Sequence, residues 1–243
     1  MAAYHGRQDA FPSVARPRPM PFEPSTGTRQ YSSACERNRQ PILEVLLRLL
    51  PSSGQALEIA SGTGQHVAWF ARHLAGWRWQ PSDCVADTFA SIAAWCDGSD
   101  EGLAPLQSVA APIVLDVLDD PWPLAADARF DLMLATNMLH IAPWPACAAL
   151  MRGAARHLAP GGLLVTYGPY LEDDRPAAPS NLEFDDWLRR RDPDSGLRRR
   201  EDVVGVAERH GLILHERVEM PANNLMLVFA RRAVDPPAME PLP

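Results

Sequence analysis

Residues 56–66 read Ala-Leu-Glu-Ile-Ala-Ser-Gly-Thr-Gly-Gln-His, a short apolar run followed by a turn with two glycines. Apolar residues at helical spacing come next, at Val67, Phe70, Ala71 and Leu74. This order is typical of a strand, a tight turn and an amphipathic helix. Glycines let the backbone approach a ligand closely, and a helix N-terminus offers free N–H groups. The segment therefore predicts a ligand-binding turn, although an ordinary tight turn also uses glycines.

Strand and helix patterns alternate along the rest of the chain. After the strand at 56–60, strand patterns occur at residues 77–80, 112–117, 130–137 and 163–167. Uninterrupted alternation predicts a doubly wound α/β fold with a mostly parallel sheet, whose strand-to-helix turns lie at one edge where ligands bind. Two final apolar runs, at 212–218 and 225–230, predict an antiparallel edge hairpin.

Proline and glycine predict where the helices begin and end. Pro41 stands directly before an amphipathic pattern, so we predict that the first helix begins there. The helix pattern that starts near Cys147 stops at Pro160, and the pattern that starts at Asp202 ends before Gly211.

The 243 residues fit one large domain or two small ones, and no internal linker or repeat divides them. Residues 1–30 and 233–243 are rich in proline, a composition that does not repay the entropy of ordering. We therefore expect a flexible arm at 1–30, a single domain at 31–232 and a flexible tail at 233–243.

The charge composition argues against several classes of function. The net charge is −7, and the arginines at 189–191 and 198–200 are interspersed with acidic residues, which disfavours nucleic-acid binding. Every basic residue is Arg, so a Schiff-base lysine and a Walker A loop are excluded.

Targeting signals and cysteine pairs are not visible in the sequence. No apolar run has the length of a membrane span, and no secretory signal or C-x-x-C pair is seen. We expect a cytoplasmic protein without membrane contact and without a metal site.

Three acidic residues, Glu58, Asp83 and Asp116, stand at the ends of three consecutive strand patterns. Asp83 comes 19 residues after Gly64, close to the offset at which an acid accepts hydrogen bonds from ribose hydroxyls. Asp116 ends the third pattern, where an acid can accept from an adenine amino group. Alternatively, Asp83 caps the next helix and Asp116 is a turn residue.

Glu58 and Val67 distinguish between nucleotide ligands. A dinucleotide fingerprint needs a third glycine at position 67, where this chain has valine. Glu58 precedes the glycines; its carboxylate would repel a phosphate and attract a ligand that carries an ammonium and a sulfonium. The pattern favours a cationic adenosyl ligand over NAD.

The order of Glu58, Gly62-x-Gly64, Asp83, Asp116 and Asn137 resembles class I S-adenosylmethionine-dependent methyltransferases. A more specific resemblance is to an uncharacterised methyltransferase-like family catalogued as a domain of unknown function. It rests on residues 33–42, 57–66, 79–83, 137–141, 167–169, 180–181 and 220–225, and the match runs from about Tyr31 to Arg231. One departure is Ala60, which stands where the wider superfamily has its first glycine.

The resemblance implies a seven-stranded Rossmann-like sheet and transfer of a methyl group from S-adenosyl-L-methionine to an unidentified small molecule. The cofactor-binding residues that it implies are Arg37, Asn38, Glu58, Ser61, Gly62, Gly64, Asp83, Asp116, Val117, Asn137 and Met138. For Arg37 and Asn38 an alternative stays open: Asn38 caps the first helix, and Arg37 is solvated.

Two side chains are candidate catalytic groups. His140 follows the fourth strand pattern, and an imidazole with the ordinary pKa of about 6.5 can accept a proton at neutral pH. Alternatively, His140 only packs in its loop, in which case Tyr167 is the next candidate.

Two other functions stay open on the sequence alone. One is a non-catalytic scaffold that retains the methyltransferase fold, because a fold does not imply a function. The other is a nicotinamide-dependent oxidoreductase, which Val67 and Glu58 disfavour.

Overall fold

A central sheet with helices on both faces is formed by residues 28–98 and 102–232, the part of the chain that the computed structural model describes. Residues 1–27 of the expected arm and the whole expected tail lie outside it. The helices are α1 (Ser33–Leu49), α2 (Gln65–His73), α3 (Phe89–Asp97), α4 (Pro145–His157), α5 (Pro179–Arg191) and α6 (Arg200–Arg209). The strands are β1 (Gly54–Ile59), β2 (Trp77–Asp83), β3 (Ile113–Val114), β4 (Phe130–Thr136), β5 (Leu158–Leu171), β6 (Arg198–Arg199), β7 (Leu212–Met220) and β8 (Asn224–Arg231).

The sheet has the strand order β3-β2-β1-β4-β5-β8-β7, and the two-residue β6 pairs beside β5. The strands from β3 to β5 pair in parallel, whereas β8 is antiparallel to both β5 and β7. From β1 the chain moves outward to β2 and β3 and then returns to the other side of β1 with β4. The predicted doubly wound sheet and edge hairpin are therefore confirmed, and β6 is an addition.

Strand β4 is buried on both faces of the sheet. Leu132 and Leu134 belong to one core cluster, which α1, α2 and α3 complete. Met133 and Ala135 alternate with them and belong to the second cluster, which α4 and α6 complete. All four side chains are at most 1% exposed, as expected for a parallel strand covered by helices on either side.

The prediction that the first helix begins at Pro41 is wrong. Helix α1 begins at Ser33, because the Ser32 side chain accepts a hydrogen bond from the Cys35 N–H and caps it there. Pro41 lies inside the helix, where Ile42 and Leu46 are fully buried against the sheet. This burial outweighs the hydrogen bond that a proline removes.

Two strand boundaries also differ from the predictions. The strand expected at 112–117 is reduced to β3, because the Asp116 carboxylate accepts from the Leu118 N–H and turns the chain. The helix expected to stop at Pro160 already ends at His157, and Leu158 pairs with Phe130. The pairing shifts between Phe130 and Leu132, which leaves room for a proline in a strand.

Substitution of Gly153 tests how tightly α4 packs against the loop that carries Trp122. A Cβ placed on Gly153 would collide with the buried indole of Trp122. We expect Gly153→Ala to lower the free energy of unfolding by about 1–3 kcal/mol, despite the better helix propensity of alanine. The melting temperature should fall by several degrees, because about 1 kcal/mol corresponds to roughly 2–4 °C in a chain of this size.

Gly205 on α6 provides the matched control. A Cβ there would meet only the Arg209 Nη1, at 3.7 Å, so Gly205→Ala should stabilise the protein by up to about 1 kcal/mol. Equal shifts in the two variants would contradict the tight packing of Trp122 on α4.

Candidate functional site

A cavity of about 950 Å³ opens at the carboxyl edge of the sheet. Its walls come from the turns that follow β1, β2 and β4, the segment after β3, and the first turns of α1 and α5. The β7–β8 turn closes another side. The cavity therefore lies where the strand order reverses between β1 and β4, as expected for a ligand site in a doubly wound fold.

The turn after β1 is held in a left-handed backbone conformation. Ala60, Gly62 and Gly64 have φ angles of 57°, 52° and 87°. Ala60 thus takes the conformation that glycine adopts at no cost, although the left-handed region costs other residues about 1–2 kcal/mol. The turn is tied to β2, because the Ser61 N–H donates to the Ser82 carbonyl at 2.8 Å. Ser61 and Gly62 line the cavity.

Gly64 does not line the cavity. It is the N-cap residue of α2, and a Cβ there would lie 2.6 Å from the Cα of Ile92 on α3. The glycine is required for this close approach of two helices.

Asp83 joins β2 to the glycine turn. Its Oδ2 accepts from the Gly62 N–H at 2.9 Å, and the residue lines the cavity. The alternative that Asp83 caps the next helix is wrong, because α3 has Thr88 at its N-cap position and a 3₁₀ turn, Ala86–Thr88, precedes it. The carboxylate is fixed at the cavity wall by the turn itself.

Asp116 and Val117 line the same cavity from the segment after β3. The Asp116 Oδ1 accepts from the Leu118 N–H at 2.9 Å, so the turn role considered from the sequence is confirmed. Within residues 28–98 and 102–232, Oδ2 has no hydrogen-bond partner. Asp83 and Asp116 are the carboxylates among the described lining residues.

Glu58 does not reach the cavity and is only 2% exposed. Its Oε2 is buried and has no hydrogen-bond partner in the described part of the chain. Burial raises the pKa of this carboxyl to about 7, and nearby His66 partly offsets the rise. The sequence predicted direct contact between the Glu58 carboxylate and a cationic ligand, and this prediction needs correction. Glu58 lies behind the cavity wall, so any electrostatic attraction to a ligand acts without direct contact.

Asn38 is a helix-interior residue of α1 and does not cap that helix. Its Oδ1 lies 2.6 Å from His66 Nε2, so that nitrogen carries the proton. Nδ1 of the same ring then accepts from Cys35 Sγ at 3.7 Å. Burial lowers the pKa of His66 to about 4, so the imidazole is neutral. Asn38 and Arg37 both line the cavity, Arg37 as an exposed side chain.

Asn137 and Met138 line the cavity directly after β4. Asn137 has a φ angle of 58°, and its N–H donates to the Tyr167 carbonyl at 2.8 Å. This left-handed residue turns the chain, and Met138 is buried beside the cavity.

His140 and Tyr167 both line the cavity. Burial lowers the pKa of His140 to about 3, and Arg198 adds to this effect. The ordinary pKa assumed from the sequence is therefore wrong, and the imidazole is neutral at physiological pH. Burial raises the pKa of Tyr167 to about 12, so its phenol keeps its proton.

Sequence reasoning missed the roof of the cavity. Ser180, Asn181 and Phe184 come from α5, residues 221–223 form the β7–β8 turn, and Asn224 begins β8. The motifs at 180–181 and 220–225 were visible as part of the family resemblance, but no periodicity linked them to a ligand site.

Residues 28–98 and 102–232 contain neither a membrane-spanning helix nor a group of metal-ligating side chains. None of the helices there has the length and apolar character to cross a membrane. In the same residues, His, Cys, Asp and Glu side chains form no group that could hold a metal ion.

Comparison with protein families matches residues 29–231 to the family described as "Protein of unknown function (DUF938)". The chain belongs to this family. The resemblance drawn from the sequence is thereby confirmed, and the match extends over β1 to β8 and the whole cavity.

Solved structures with the methyltransferase fold are also similar. An O-methyltransferase family protein from Burkholderia thailandensis has a TM-score of 0.66 and 19% identity, with 83% of this chain and 58% of that chain covered. Human N-acetylserotonin methyltransferase in complex with SAM has a TM-score of 0.60 and 15% identity, with 80% and 55% covered. This chain spans little more than half the length of these proteins, and the likeness shows the fold.

The buried Glu58 makes stability depend on pH. Unfolded, the carboxyl titrates near its ordinary pKa of 4.5; folded, it keeps its proton up to about pH 7. The contribution of this group to stability is therefore lost as the pH rises from about 4.5 to 7. Glu58→Gln removes this loss, so we expect the variant to melt several degrees above the wild type at pH 8 and level with it at pH 4.5.

Thermal melts across this range check the prediction, with exposed Glu44→Gln on α1 as the control. If Glu58→Gln melts below the wild type at pH 8, the folded protein stabilises the ionised carboxylate of Glu58, and the prediction is wrong.

Proposed function

We propose that the protein is an S-adenosylmethionine-dependent methyltransferase that acts on a small molecule. The observation that carries this proposal is the pair of carboxylates, Asp83 and Asp116, on one cavity wall beside the left-handed glycine turn. Carboxylates at the ends of neighbouring strands suit the hydroxyl and amino donors of an adenosine. Two negative charges also disfavour a pyrophosphate.

The residues fit the cofactor in volume as well as in chemistry. A cavity of about 950 Å³ lies at the upper end of the range for small-molecule sites, which leaves room for a cofactor and an acceptor. Asp83 and Asp116 would hold the adenosine, while Ser61, Gly62, Asn38 and Arg37 would surround the methionine part. Val117, Asn137 and Met138 would cover it. When bound, the cofactor supplies a methyl group already activated on a sulfonium.

The chain's own contribution to catalysis is then orientation and exclusion of water. His140 and Tyr167 keep fixed protonation states at neutral pH, one as a neutral imidazole and one as a neutral phenol. We therefore assign them hydrogen-bonding roles towards the acceptor and not the role of general base. His140 follows β4 and Tyr167 lies on β5, and both residues line the cavity.

Similar proteins support a small-molecule acceptor. CalO1, described as a methyltransferase in calicheamicin biosynthesis in its SAH-bound form, has a TM-score of 0.61 and 15% identity. It is covered over 54% of its length by 80% of this chain. The net charge of −7 adds to the argument against nucleic acid.

Calorimetry with the purified protein tests the cofactor. We expect binding of S-adenosylmethionine and S-adenosylhomocysteine and no heat from NAD. NAD binding without an adenosylhomocysteine signal would contradict the proposal and favour the oxidoreductase.

Asp83→Asn tests the ribose contact. Asparagine can still accept from the Gly62 N–H through its Oδ1, but it replaces the second acceptor oxygen by a donor. We expect affinity for S-adenosylhomocysteine to fall at least about tenfold, or ~1.4 kcal/mol, with the melting temperature of the free protein nearly unchanged.

Asp119→Asn is the matched control, because Asp119 is exposed and outside the cavity lining. Equal affinities of the two variants would remove Asp83 from the cofactor site. Transfer of labelled methyl to a small-molecule extract then separates the enzyme from the non-catalytic scaffold: Asp83→Asn should lose the transfer and Asp119→Asn should keep it.

A further inference from the structure

The cavity extends along the sheet edge beyond the two carboxylates. Asp83 ends β2 and Asn224 begins β8, and the order β2-β1-β4-β5-β8 puts four strand spacings between them. At about 4.8 Å per spacing this is about 19 Å. The far part is bounded by α5 and the β7–β8 turn. We call it the amide end and define it by Ser180, Asn181, Phe184, Asn223 and Asn224.

The side-chain nitrogen atoms of two asparagines at this end donate hydrogen bonds to backbone carbonyls. Asn181 Nδ2 donates to the Asn223 carbonyl at 3.1 Å. Asn224 Nδ2 donates to the Pro221 carbonyl at 2.9 Å and to the Ala222 carbonyl at 3.3 Å. Carbonyl oxygens only accept, so the orientation of both amides is fixed.

The side-chain oxygens of the same two asparagines are available to accept hydrogen bonds. Neither Asn181 Oδ1 nor Asn224 Oδ1 has a hydrogen-bond partner among the described residues. Asn181 is 7% exposed as a residue, but its Oδ1 is not among the fully buried atoms that lack a partner, so this oxygen borders open space. The amide end therefore presents acceptors to the cavity and suits a ligand that donates.

The amide end carries no formal charge. The charged side chains among the described lining residues are Asp83, Asp116 and Arg37, and none of them comes from α5 or the β7–β8 turn. His140 lies in edge contact with Phe184, with ring centroids 5.6 Å apart, and its imidazole is neutral. A ligand with a charge at this end would lose its hydration without gaining a partner there.

The walls between the polar atoms are apolar. Phe184 stacks on Trp187 and meets His140 edge-on, so its ring is held in place. Pro169 and Tyr167 line the cavity nearby on β5. Apolar walls with a few fixed polar atoms suit a ring-shaped ligand that hydrogen-bonds at its edge.

We propose that the amide end binds an uncharged, planar ring compound through O–H or N–H groups that donate to the amide oxygens of Asn181 and Asn224. This compound is the methyl acceptor, an identification that rests on the proposed function. The binding preference itself does not depend on methyl transfer.

Four para-substituted benzene derivatives test the preference on the wild-type protein. 4-Hydroxybenzamide is uncharged and donates, 4-hydroxybenzoate is an anion, and 4-hydroxybenzamidine is a cation. 4-Methoxy-N,N-dimethylbenzamide has no donor. Dissociation constants are measured by NMR titration at pH 7.5, with and without S-adenosylhomocysteine. We expect 4-hydroxybenzamide to bind at least about tenfold more tightly than the other three.

Tighter binding of the anion would show that Arg37 decides recognition, and tighter binding of the donor-free probe would show that the amide oxygens do not. Equal binding of all four, or binding of none, would equally overturn the proposal.

Asn181→Asp locates the preference, because it places a negative charge at the amide end. We expect the ratio of affinities for the cation and for 4-hydroxybenzamide to rise at least about tenfold. Asn224→Asp is a second variant on the half-buried turn, in case the buried Asn181→Asp protein does not fold. Leu182→Asp is the matched control, since Leu182 is 50% exposed on the same helix and outside the lining. A ratio unchanged in a folded Asn181→Asp or Asn224→Asp protein contradicts the assignment.

Binding of S-adenosylhomocysteine separates this proposal from the proposed function. If it binds and the probes show no preference, only the amide end is wrong. If it does not bind and 4-hydroxybenzamide is still preferred, only the proposed function fails.

Discussion

The turn after β1 positions the other elements at the edge of the sheet that carries the cavity. Three of its residues, Ala60, Gly62 and Gly64, have left-handed backbones, and the bond from the Gly62 N–H to Asp83 joins the turn to β2. Gly64 also lets α2 approach α3 closely. Because one short segment fixes two strands and two helices relative to each other, the cavity walls are rigid at this side. Rigid walls are what a site that orients two reactants needs.

Behind this turn lies a buried polar cluster that costs stability. Glu58 has an unpaired oxygen, and His66 is kept neutral between Asn38 and Cys35. Replacing such groups by apolar ones is often neutral or stabilising, so their presence is not explained by folding alone. The hydrogen bond between Asn38 and His66 connects α1 with α2. Asn38 also lines the cavity, so the cluster lies directly behind the cavity wall. Its electrostatic influence therefore acts on whatever occupies the neighbouring part of the cavity.

The two ends of the cavity differ in charge for a topological reason. Asp83 ends β2 and Asp116 follows β3, on one side of β1, whereas α5 and the β7–β8 turn follow the strands on the other side. The first side offers carboxylates, and the second offers amide oxygens and a held aromatic ring. A cation-bearing nucleoside and an uncharged ring compound could thus meet near β4 and β5, where His140 and Tyr167 stand.

Short-range patterns were sufficient for much of this molecule. The apolar runs predicted the parallel core and the hairpin, since strands buried on both faces consist of continuous apolar residues. Glycine spacing predicted the turn at 61–64, and the acids at strand ends marked one cavity wall. Gly211 is left-handed after α6, as its place in the sequence predicted.

Other features depended on contacts between residues distant in sequence. Pro41 suggested a helix start, but the cap at Ser32 and the burial of Ile42 decided otherwise. The residue type and position of Asp83 were compatible with a helix cap. The pairing of β1 with β2 instead places its carboxylate within hydrogen-bond distance of the Gly62 N–H. The pKa of His140 follows from burial, which no local pattern contains. The sequence by itself determined which segments form the central strands and which edge of the sheet carries the cavity, because these follow from periodicity and chain handedness. Only the tertiary structure decided which side chains face the cavity and in which charge state, because burial and hydrogen bonding depend on every element packed around them.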